Sequence, residues 1–326
     1  MTAGNDQPAF VPGGYQVLQR LGSGQTSHVY LAEHSEFGRV ALKLPRGELH
    51  ERPVLRRMFE NEVQITVKLS HANIVAAYDG FPTGKQAFLA LELCGGGTLD
   101  QLLLEKGRLG LERAYALVEG VAAGLTHTHE RRVLHRDVKP ANVFLTDAGV
   151  AKLGDFGTGI FQAEDSKDRV GTAFYMAPEV FEGKPVTVRG DIYSLGVLSY
   201  EVLTGERPFI GDTYDSLMLA HLSGIPRDLA VLRPDLPRGV VRVVTRAIAR
   251  DAERRFASVA EFATAFRAAT GRPPDAREVV ERPAERPRTG RSSRLPKSPD
   301  AEPERSNGGD EGKRRGWWGW FRRRRA

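Results

Sequence analysis

The stretch His135-Arg136-Asp137-Val138-Lys139-Pro140-Ala141-Asn142 constrains this chain more than any other part of it. It places a carboxylate, an ammonium and a carboxamide within six residues, Asp137 to Asn142. Pro140 disfavours a continuous helix here, because proline lacks an N–H and crowds the preceding turn. We therefore predict a loop held between regular elements, where catalytic groups often lie.

A second carboxylate follows one apolar strand later, in Asp155-Phe156-Gly157, where the glycine can act as a hinge. Carboxylate and amide oxygens are the ligands that Mg²⁺ prefers, and a lysine ammonium binds phosphate. The two segments together predict a site for a metal and a nucleotide.

A glycine-rich hairpin is predicted near the N-terminus. The strand-like run Tyr15-Gln16-Val17-Leu18 leads into Leu21-Gly22-Ser23-Gly24, whose glycines let the backbone bend over a ligand and aim N–H groups at phosphate oxygens. By itself, Gly-x-Gly fits an ordinary turn equally well. The apolar strand Val40-Ala41-Leu42-Lys43 that follows favours the phosphate site, because a lysine in such a strand is rarely a solvated surface group.

Residues 53–69 have apolar positions at helical spacing and predict an amphipathic helix. The helix carries two acids, Glu60 and Glu62, that compete as the partner of Lys43. Either of them could also be a plain carboxylate on the helix surface.

Residues 135–142 and 155–157 resemble the catalytic loop and the metal-binding triplet of the Hanks-type (eukaryotic-like) protein kinases. The resemblance extends over about residues 15–270 as an ordered set of motifs. It implies an α+β, bilobal kinase fold, with a small β-rich lobe over about residues 15–94 and a larger helical lobe over about residues 95–270. One departure is Ser27, which replaces the third glycine of the family's loop.

The implied activity is transfer of the γ-phosphate of ATP·Mg²⁺ to Ser and Thr hydroxyls of proteins, including the chain itself. Lys139, two residues after Asp137, is the form found in the serine/threonine kinases. Asp137 is implied to accept the proton of the substrate hydroxyl, and Lys139 to steady the transferring phosphoryl group. Asn142 and Asp155 are implied to hold Mg²⁺, with Mn²⁺ as an alternative.

Lys43 is implied to pair with the phosphates of ATP. Counting back from the family-like segment 69–75 favours Glu62 over Glu60 as the acid that holds it. Leu91 is implied to gate the back of the adenine pocket. The implied ATP contacts are Leu21, Gly22, Ser23, Gly24, Val29, Ala41, Lys43, Glu62, Leu91, Glu92, Leu93, Asn142 and Asp155.

Residues 157–177 resemble the activation segment of the kinases. Thr172 is implied to line the substrate site and to bond to the catalytic aspartate. Glu179 is implied to anchor the end of the segment, with Arg255 as its salt partner. Asp191 is implied to brace the catalytic loop from a buried helix.

Ser166 lies in the middle of this segment, directly after Glu164 and Asp165. Phosphorylation activates by giving an arginine a negative partner, and these two acids already supply negative charge. One hypothesis is that the kinase is partly active without phosphate, with Ser166 as an optional switch. The alternative, a solvated acidic loop, has equal weight.

The excess positive charge is concentrated C-terminal to the predicted kinase domain. The formal net charge is +6, but residues 272–326 contain 16 Lys and Arg against 9 Asp and Glu, so the rest of the chain is close to neutral. Residues 1–14 are predicted to be a loose leader. Residues 271–312 are predicted to be a disordered Pro/Arg-rich linker, because so few apolar side chains cannot offset the entropy of ordering.

The segment 313–326 is basic and aromatic, and it contains all three tryptophans of the protein. An anionic membrane surface is the favoured partner, because Trp and Phe prefer the bilayer interface and cations are attracted to its headgroups. A partner protein is the second candidate. Single-stranded nucleic acid, which arginines and stacking aromatics can hold, is the least favoured.

Cys94 is the single cysteine, which excludes an internal disulfide and fits a reducing compartment. The N-terminus shows no secretory signal, and no run approaches the ~20 apolar residues needed to span a bilayer. We expect a cytoplasmic protein, with at most a peripheral contact to the inner membrane face. Tyr193, where many eukaryotic members carry Trp, gives the chain a bacterial appearance. Its oligomeric state and physiological substrates stay open.

Two other functions fit the motifs less well. A pseudokinase scaffold would typically have lost Lys43, Asp137 or Asp155, and all three are present. A small-molecule kinase of related fold typically loses the end of the activation segment, whereas Thr172 and Pro178-Glu179 remain here.

Overall fold

A computed structural model describes residues 8, 10–47, 52–156 and 166–272 of the chain, with residues 166–169 described as backbone. In this part of the chain, no helix combines the length and the apolar character needed to cross a bilayer. Of the leader predicted for residues 1–14, residues 8 and 10–14 are described. Of the linker predicted for residues 271–312, only residues 271 and 272 are described, and the basic-aromatic segment predicted for residues 313–326 lies outside the described residues.

The N-terminal part of the described chain is an antiparallel sheet in the order β1-β2-β3-β5-β4. Its strands are β1 (Tyr15–Ser23), β2 (Ser27–His34), β3 (Gly38–Pro45), β4 (Ala77–Phe81) and β5 (Phe88–Glu92). On β3, Val40, Leu42 and Leu44 are buried in a small apolar core. Because side chains alternate along a strand, Ala41 and Lys43 face the other side of the sheet.

One helix, α1 (Pro53–Thr66), packs beside this sheet. It begins with proline in its first turn, where the missing N–H has no cost. Its buried face includes Phe59 and Val63, which pack with Leu89 of β5. Glu62 lies on the same buried face, and this position directs its carboxylate inward rather than to solvent.

The rest of the described chain is mainly helical and has its own large apolar core. Its helices are α2 (Leu99–Lys106), α3 (Leu111–Glu130), α4 (Ser166–Ala173), α5 (Pro178–Phe181), α6 (Val188–Thr204), α7 (Tyr214–Ser223), α8 (Leu229–Leu232), α9 (Arg238–Ala247) and α10 (Val259–Thr270). Every residue of α6 from Gly190 to Thr204 is buried. A helix buried on all sides belongs in the middle of a core, and α3 and α9 pack against it.

A short hairpin of β6 (Val143–Leu145) and β7 (Ala151–Leu153) lies between the two predicted site segments. Since Val143 pairs with Leu153, the residues just outside the hairpin meet, and the Gly154 N–H donates to the Asn142 carbonyl at 3.0 Å. The hairpin therefore brings Asn142 and Asp155 to the same end of one small element. The β-rich part followed by a helical part agrees with the predicted α+β, two-lobed fold.

Candidate active site

Three charged side chains that are distant in sequence meet between the sheet and the helical part. The Lys43 ammonium lies 2.5 Å from a carboxylate oxygen of Glu62 on α1 and 2.7 Å from a carboxylate oxygen of Asp155. Glu62 is 2% exposed, and Glu60 instead approaches Arg56 at 3.7 Å on the outer side of the helix. The structure thus pairs Lys43 with Glu62, the acid that the family resemblance favoured.

The electrostatics of this cluster keep Lys43 charged. Burial alone would lower the pKa of the Lys43 amine, but Asp155 and Glu62 outweigh it and hold that pKa above its usual value. Burial raises the pKa of Glu62, against the opposing effect of Lys43. For Asp155, burial acts in the raising direction, and the charge of Lys43 overcomes it and lowers the pKa. The site therefore holds a cation beside an ionised Asp155.

The loop 133–142 is held in place by Asp191 of α6. One Asp191 oxygen accepts the Arg136 N–H at 2.7 Å, and the other accepts the His135 N–H at 2.9 Å. Arg136 has φ of 68°, a left-handed conformation that a non-glycine residue adopts only when its surroundings enforce it. The predicted brace by Asp191 is present, and it acts on the backbone just before Asp137.

A histidine that sequence reasoning missed completes this brace. The Nε2 atom of His129, on the last turn of α3, lies 2.7 Å from the Asp191 carboxylate. Buried His135 reaches the next loop, because its Nε2 lies 2.9 Å from the Gly154 carbonyl. Burial lowers the pKa of His135, which keeps the ring neutral between the two loops. No residue pattern around His129 singled it out from other helix positions.

A second cluster of polar side chains lies beside the first and consists of Asp137, Lys139, Asn142 and Thr172. The Asp137 carboxylate lies 2.9 Å from the Lys139 ammonium and accepts a hydrogen bond from the Asn142 amide, also at 2.9 Å. Lys139 also donates to the Thr172 hydroxyl at 2.9 Å. Lys139 therefore contacts both Thr172 and Asp137, the two residues that the family resemblance expects to bond to each other.

The donor chemistry of the site suits a magnesium ion. The Asn142 amide nitrogen is directed to the carbonyl and the carboxylate of Asp137, so its oxygen is the end left for a cation. Asp155 adds a carboxylate. One carboxylate and one amide are too few ligands to fill the coordination shell of Mg²⁺. Water and substrate phosphate typically supply the remaining ligands of this ion. Within the described residues, no group of three or more His, Cys, Asp or Glu side chains could hold a metal by itself.

The glycine-rich turn between β1 and β2 leaves room for a ligand. A Cβ atom added at Gly22 would meet nothing within 4 Å, and one at Gly24 would meet only the Ser27 carbonyl, at 3.9 Å. Neither glycine has positive φ, so the backbone conformation does not require glycine at these positions, and the free space shows that packing within the described chain does not require it either. The open space beside both glycines would allow a ligand to approach the backbone closely. Leu21 and Val29 lie at the base of this turn, beside Ser23.

The predicted adenine contacts lie on β5 and directly after it. Leu91 pairs with Ala41 of β3, so both predicted contacts lie at the same level of the sheet. The Glu92 carboxylate has a structural role, because it accepts the Ala76 N–H at 3.2 Å and lies 3.0 Å from the Lys152 ammonium. Leu93 follows Glu92 at the crossing between the two parts of the fold.

The glycines that follow Cys94 connect this crossing to the β6–β7 hairpin. A Cβ atom at Gly96 would lie 2.5 Å from the Thr146 carbonyl, so a side chain here would push the two segments apart. Cys94 itself is partly buried, and burial raises the pKa of its thiol to about 11. A partly buried, neutral thiol of this kind behaves as a small packing residue.

The activation segment is described only in part. Residues 157–165 lie outside the described residues, Ser166 is described as backbone at the start of α4, and Thr172 lies near the end of that helix. Beyond it, Glu179 and Arg255 form the expected ion pair, with two contacts of 2.8 Å. The hypothesis about Ser166 and its acidic neighbours stays a prediction.

Comparison with known proteins agrees with this geometry. Residues 15–263 match the protein kinase domain family. The chain is 36% identical over 267 residues to the serine/threonine-protein kinase PknH of Mycobacterium bovis, covering 80% of this chain and 45% of that protein. It is 33% identical over 285 residues to PknB of Mycobacterium tuberculosis, covering 84% and 46% respectively. The chain thus spans less than half of the length of these relatives.

The fold is also found in a solved structure. The kinase domain of Mycobacterium tuberculosis PknI, crystallised as a cysteine-to-alanine mutant, superposes with a TM-score of 0.62 at 31% sequence identity. The match covers 79% of this chain and 96% of that one. The two-lobed architecture predicted from the motifs is therefore confirmed.

Proposed function

The chain belongs to the Hanks-type serine/threonine protein kinases, and we propose that it transfers the γ-phosphoryl group of ATP·Mg²⁺ to Ser and Thr hydroxyls of proteins. The convergence of Lys43, Glu62 and Asp155 next to the Asp137 loop carries this proposal. Phosphoryl transfer needs positioning and charge neutralisation more than covalent help, and these residues are arranged for both.

The nucleotide would lie under the glycine-rich turn. A Cβ at Gly22 would meet nothing within 4 Å, so a phosphate could approach the backbone there, whereas the Gly24 N–H already donates to the Ser27 carbonyl at 2.8 Å. Lys43 would donate to the phosphates from the opposite side. Glu62 fixes the direction of the Lys43 ammonium, because a lysine without a buried partner would sample several rotamers.

Asp137 would act as the base for the substrate hydroxyl. Lys139 and the Asn142 amide hold its carboxylate in one orientation. As the new O–P bond forms, the hydroxyl proton passes to Asp137 and the bond between the γ-phosphorus and the β,γ-bridging oxygen breaks, leaving ADP. Lys139, which also contacts Thr172, would neutralise charge on the phosphoryl group as it moves.

Asn142 and Asp155 would hold the metal. A bound Mg²⁺, or Mn²⁺ in its place, would neutralise negative charge on the phosphates. Lys43 keeps Asp155 ionised and therefore ready to bind a cation.

The finer parts of the proposal concern substrates and location. We include autophosphorylation, for which Ser166 is a candidate site. Residues 313–325, with seven cations and four aromatic side chains, would give a peripheral contact with the inner face of a membrane, or else a docking site for a partner protein. Nucleic acid is the weakest candidate for this segment.

Labelled ATP·Mg²⁺ with a generic basic protein tests the activity. We expect wild type to label Ser and Thr, and Asp137→Asn to lose about 10²–10⁴-fold in rate while it still binds ATP, as loss of a general base predicts. Asp212→Asn, at a position outside the proposed site, is the matched control and should behave as wild type. Label on tyrosine alone, or equal rates for the two Asn variants, would contradict the proposal.

A further inference from the structure

A groove with a volume of about 800 Å³ lies between α3 and α10, away from the proposed nucleotide site. Its floor is made of small residues, among them Ala123 of α3 and Ala260 and Ala263 of α10. His71 and His127 close one end, where their rings lie 4.9 Å apart. Small side chains on both helices leave space that larger side chains from elsewhere could fill.

The chain leaves the described region at the wall of this groove. Gly271, with φ of 69°, ends α10, and both Gly271 and Arg272 line the groove. The Arg272 guanidinium reaches back to α3, lying 3.2 Å from Glu119 and 3.3 Å from Glu112. These two ion pairs hold Arg272, the last described residue, against α3 at the wall of the groove.

The segment that follows carries one apolar pair at a suitable distance. Val279-Val280 is the one pair of adjacent large aliphatic residues in 273–316. Val279 is seven residues beyond Arg272, a reach of up to about 23 Å for an extended chain. The groove wall from Glu119 to the end of α3 at Glu130 is about 16 Å long at the rise of a helix. The valine pair can therefore reach any point of the alanine floor.

We propose that linker residues 273–282 of the same chain bind in the groove between α3 and α10, with Val279 and Val280 on its alanine floor. Removal of the two valines and the floor from water favours this arrangement. The short connection adds to it, because a tethered segment binds at high effective concentration. The charged neighbours Glu278 and Glu281 would remain at the open edge.

The groove is adjacent to a hydrogen-bonded path that leads toward the site. His71 Nδ1 accepts the Asn73 N–H at 3.0 Å, and the Asn73 side-chain amide donates to the Ala151 carbonyl at 2.9 Å. Ala151 begins β7, the strand that ends two residues before Asp155. A linker bound against His71 would contact the segment that joins α1 to β4.

Thiol alkylation in the full chain tests the proposal. With Cys94→Ser removing the native thiol, Thr264→Cys places a single thiol among the groove residues. We expect this thiol to react at least about fivefold more slowly with the natural linker than with Val279→Asp/Val280→Asp. Thr245→Cys, at a threonine on α9 that is also exposed, is the matched control and should react at one rate in both backgrounds.

Equal rates at Thr264→Cys in the two backgrounds would overturn the proposal. Protection that persists in the Asp variant but disappears when the chain stops at Arg272 would assign the groove to another part of the tail, and the valine assignment would be wrong. Protection that grows with protein concentration would indicate a second copy of the chain instead. Slower reaction at Thr245→Cys would place the linker on α9, which also overturns it.

Discussion

The buried ion pair of Glu179 and Arg255 allows a quantitative test of how the end of the activation segment is anchored. The Arg255 side chain is 0% exposed, and its guanidinium donates to both Glu179 oxygens at 2.8 Å. The same group donates at 2.8, 2.9 and 3.0 Å to the backbone carbonyls of Ala249, Arg189 and Arg250. All five N–H donors of the guanidinium thus have acceptors.

Glu179→Gln keeps the shape of the side chain and removes its charge. One acceptor oxygen remains, but the new amide nitrogen faces a guanidinium nitrogen, so a donor meets a donor. Removing one partner of a buried pair costs about 3–5 kcal/mol, because the other charge stays buried without compensation. Since glutamine keeps one acceptor, we expect about 3 kcal/mol, the lower end of that range. For a domain of this size that lowers Tm by about 6–12 °C.

Urea and thermal unfolding of the full chain measure this loss. Glu253→Gln is the matched control: Glu253 also pairs with an arginine, Arg189, at 3.1 Å, but its side chain is 77% exposed. Exposed pairs are screened by water, so this variant should lose less than about 1 kcal/mol. If Glu179→Gln cost no more than Glu253→Gln, the argument from burial would be refuted.

Three further predictions concern the site and the core. Glu62→Gln should lower kcat/KM by about 10²-fold, because Lys43 would lose the partner that positions it, whereas Glu60→Gln should leave kcat/KM unchanged. Steady-state kinetics measure both variants, and equal effects would contradict the pairing of Lys43 with Glu62. Gly22→Ala should raise the KM for ATP and change the free energy of unfolding by less than about 0.5 kcal/mol, since its Cβ has open space; a large stability loss in urea unfolding would contradict this. Burial lowers the pKa of His221 from 6.5 to about 4, so over this range the unfolded chain binds a proton that the native state excludes. As the pH falls between these two pKa values, the free energy of unfolding should therefore drop by up to about 1.4 kcal/mol per pH unit. Denaturation at several pH values measures this slope, and His221→Phe should flatten it.

Local sequence was sufficient for the parts of the fold whose cause is local. The apolar run before Lys43 predicted a strand in which this lysine is not a solvated surface group, and Pro140 predicted a loop in place of a continuous helix. The glycine-rich turn was likewise predicted from a short pattern. The family resemblance added the roles of these residues and the choice of Glu62, which helical spacing had left open.

The contacts between distant segments required the tertiary structure. Lys43 and Asp155 are 112 residues apart, and nothing in either segment specifies a separation of 2.7 Å. His129 as a partner of Asp191, and the groove beside the last helix, also arise from how helices pack. Sequence determines local conformation through short-range sterics and hydrogen bonding, whereas the meeting of buried charges depends on the core that places their elements together. That core depends on the whole chain. The motifs could therefore be recognised from the sequence, whereas the distances between their side chains could not be predicted from it.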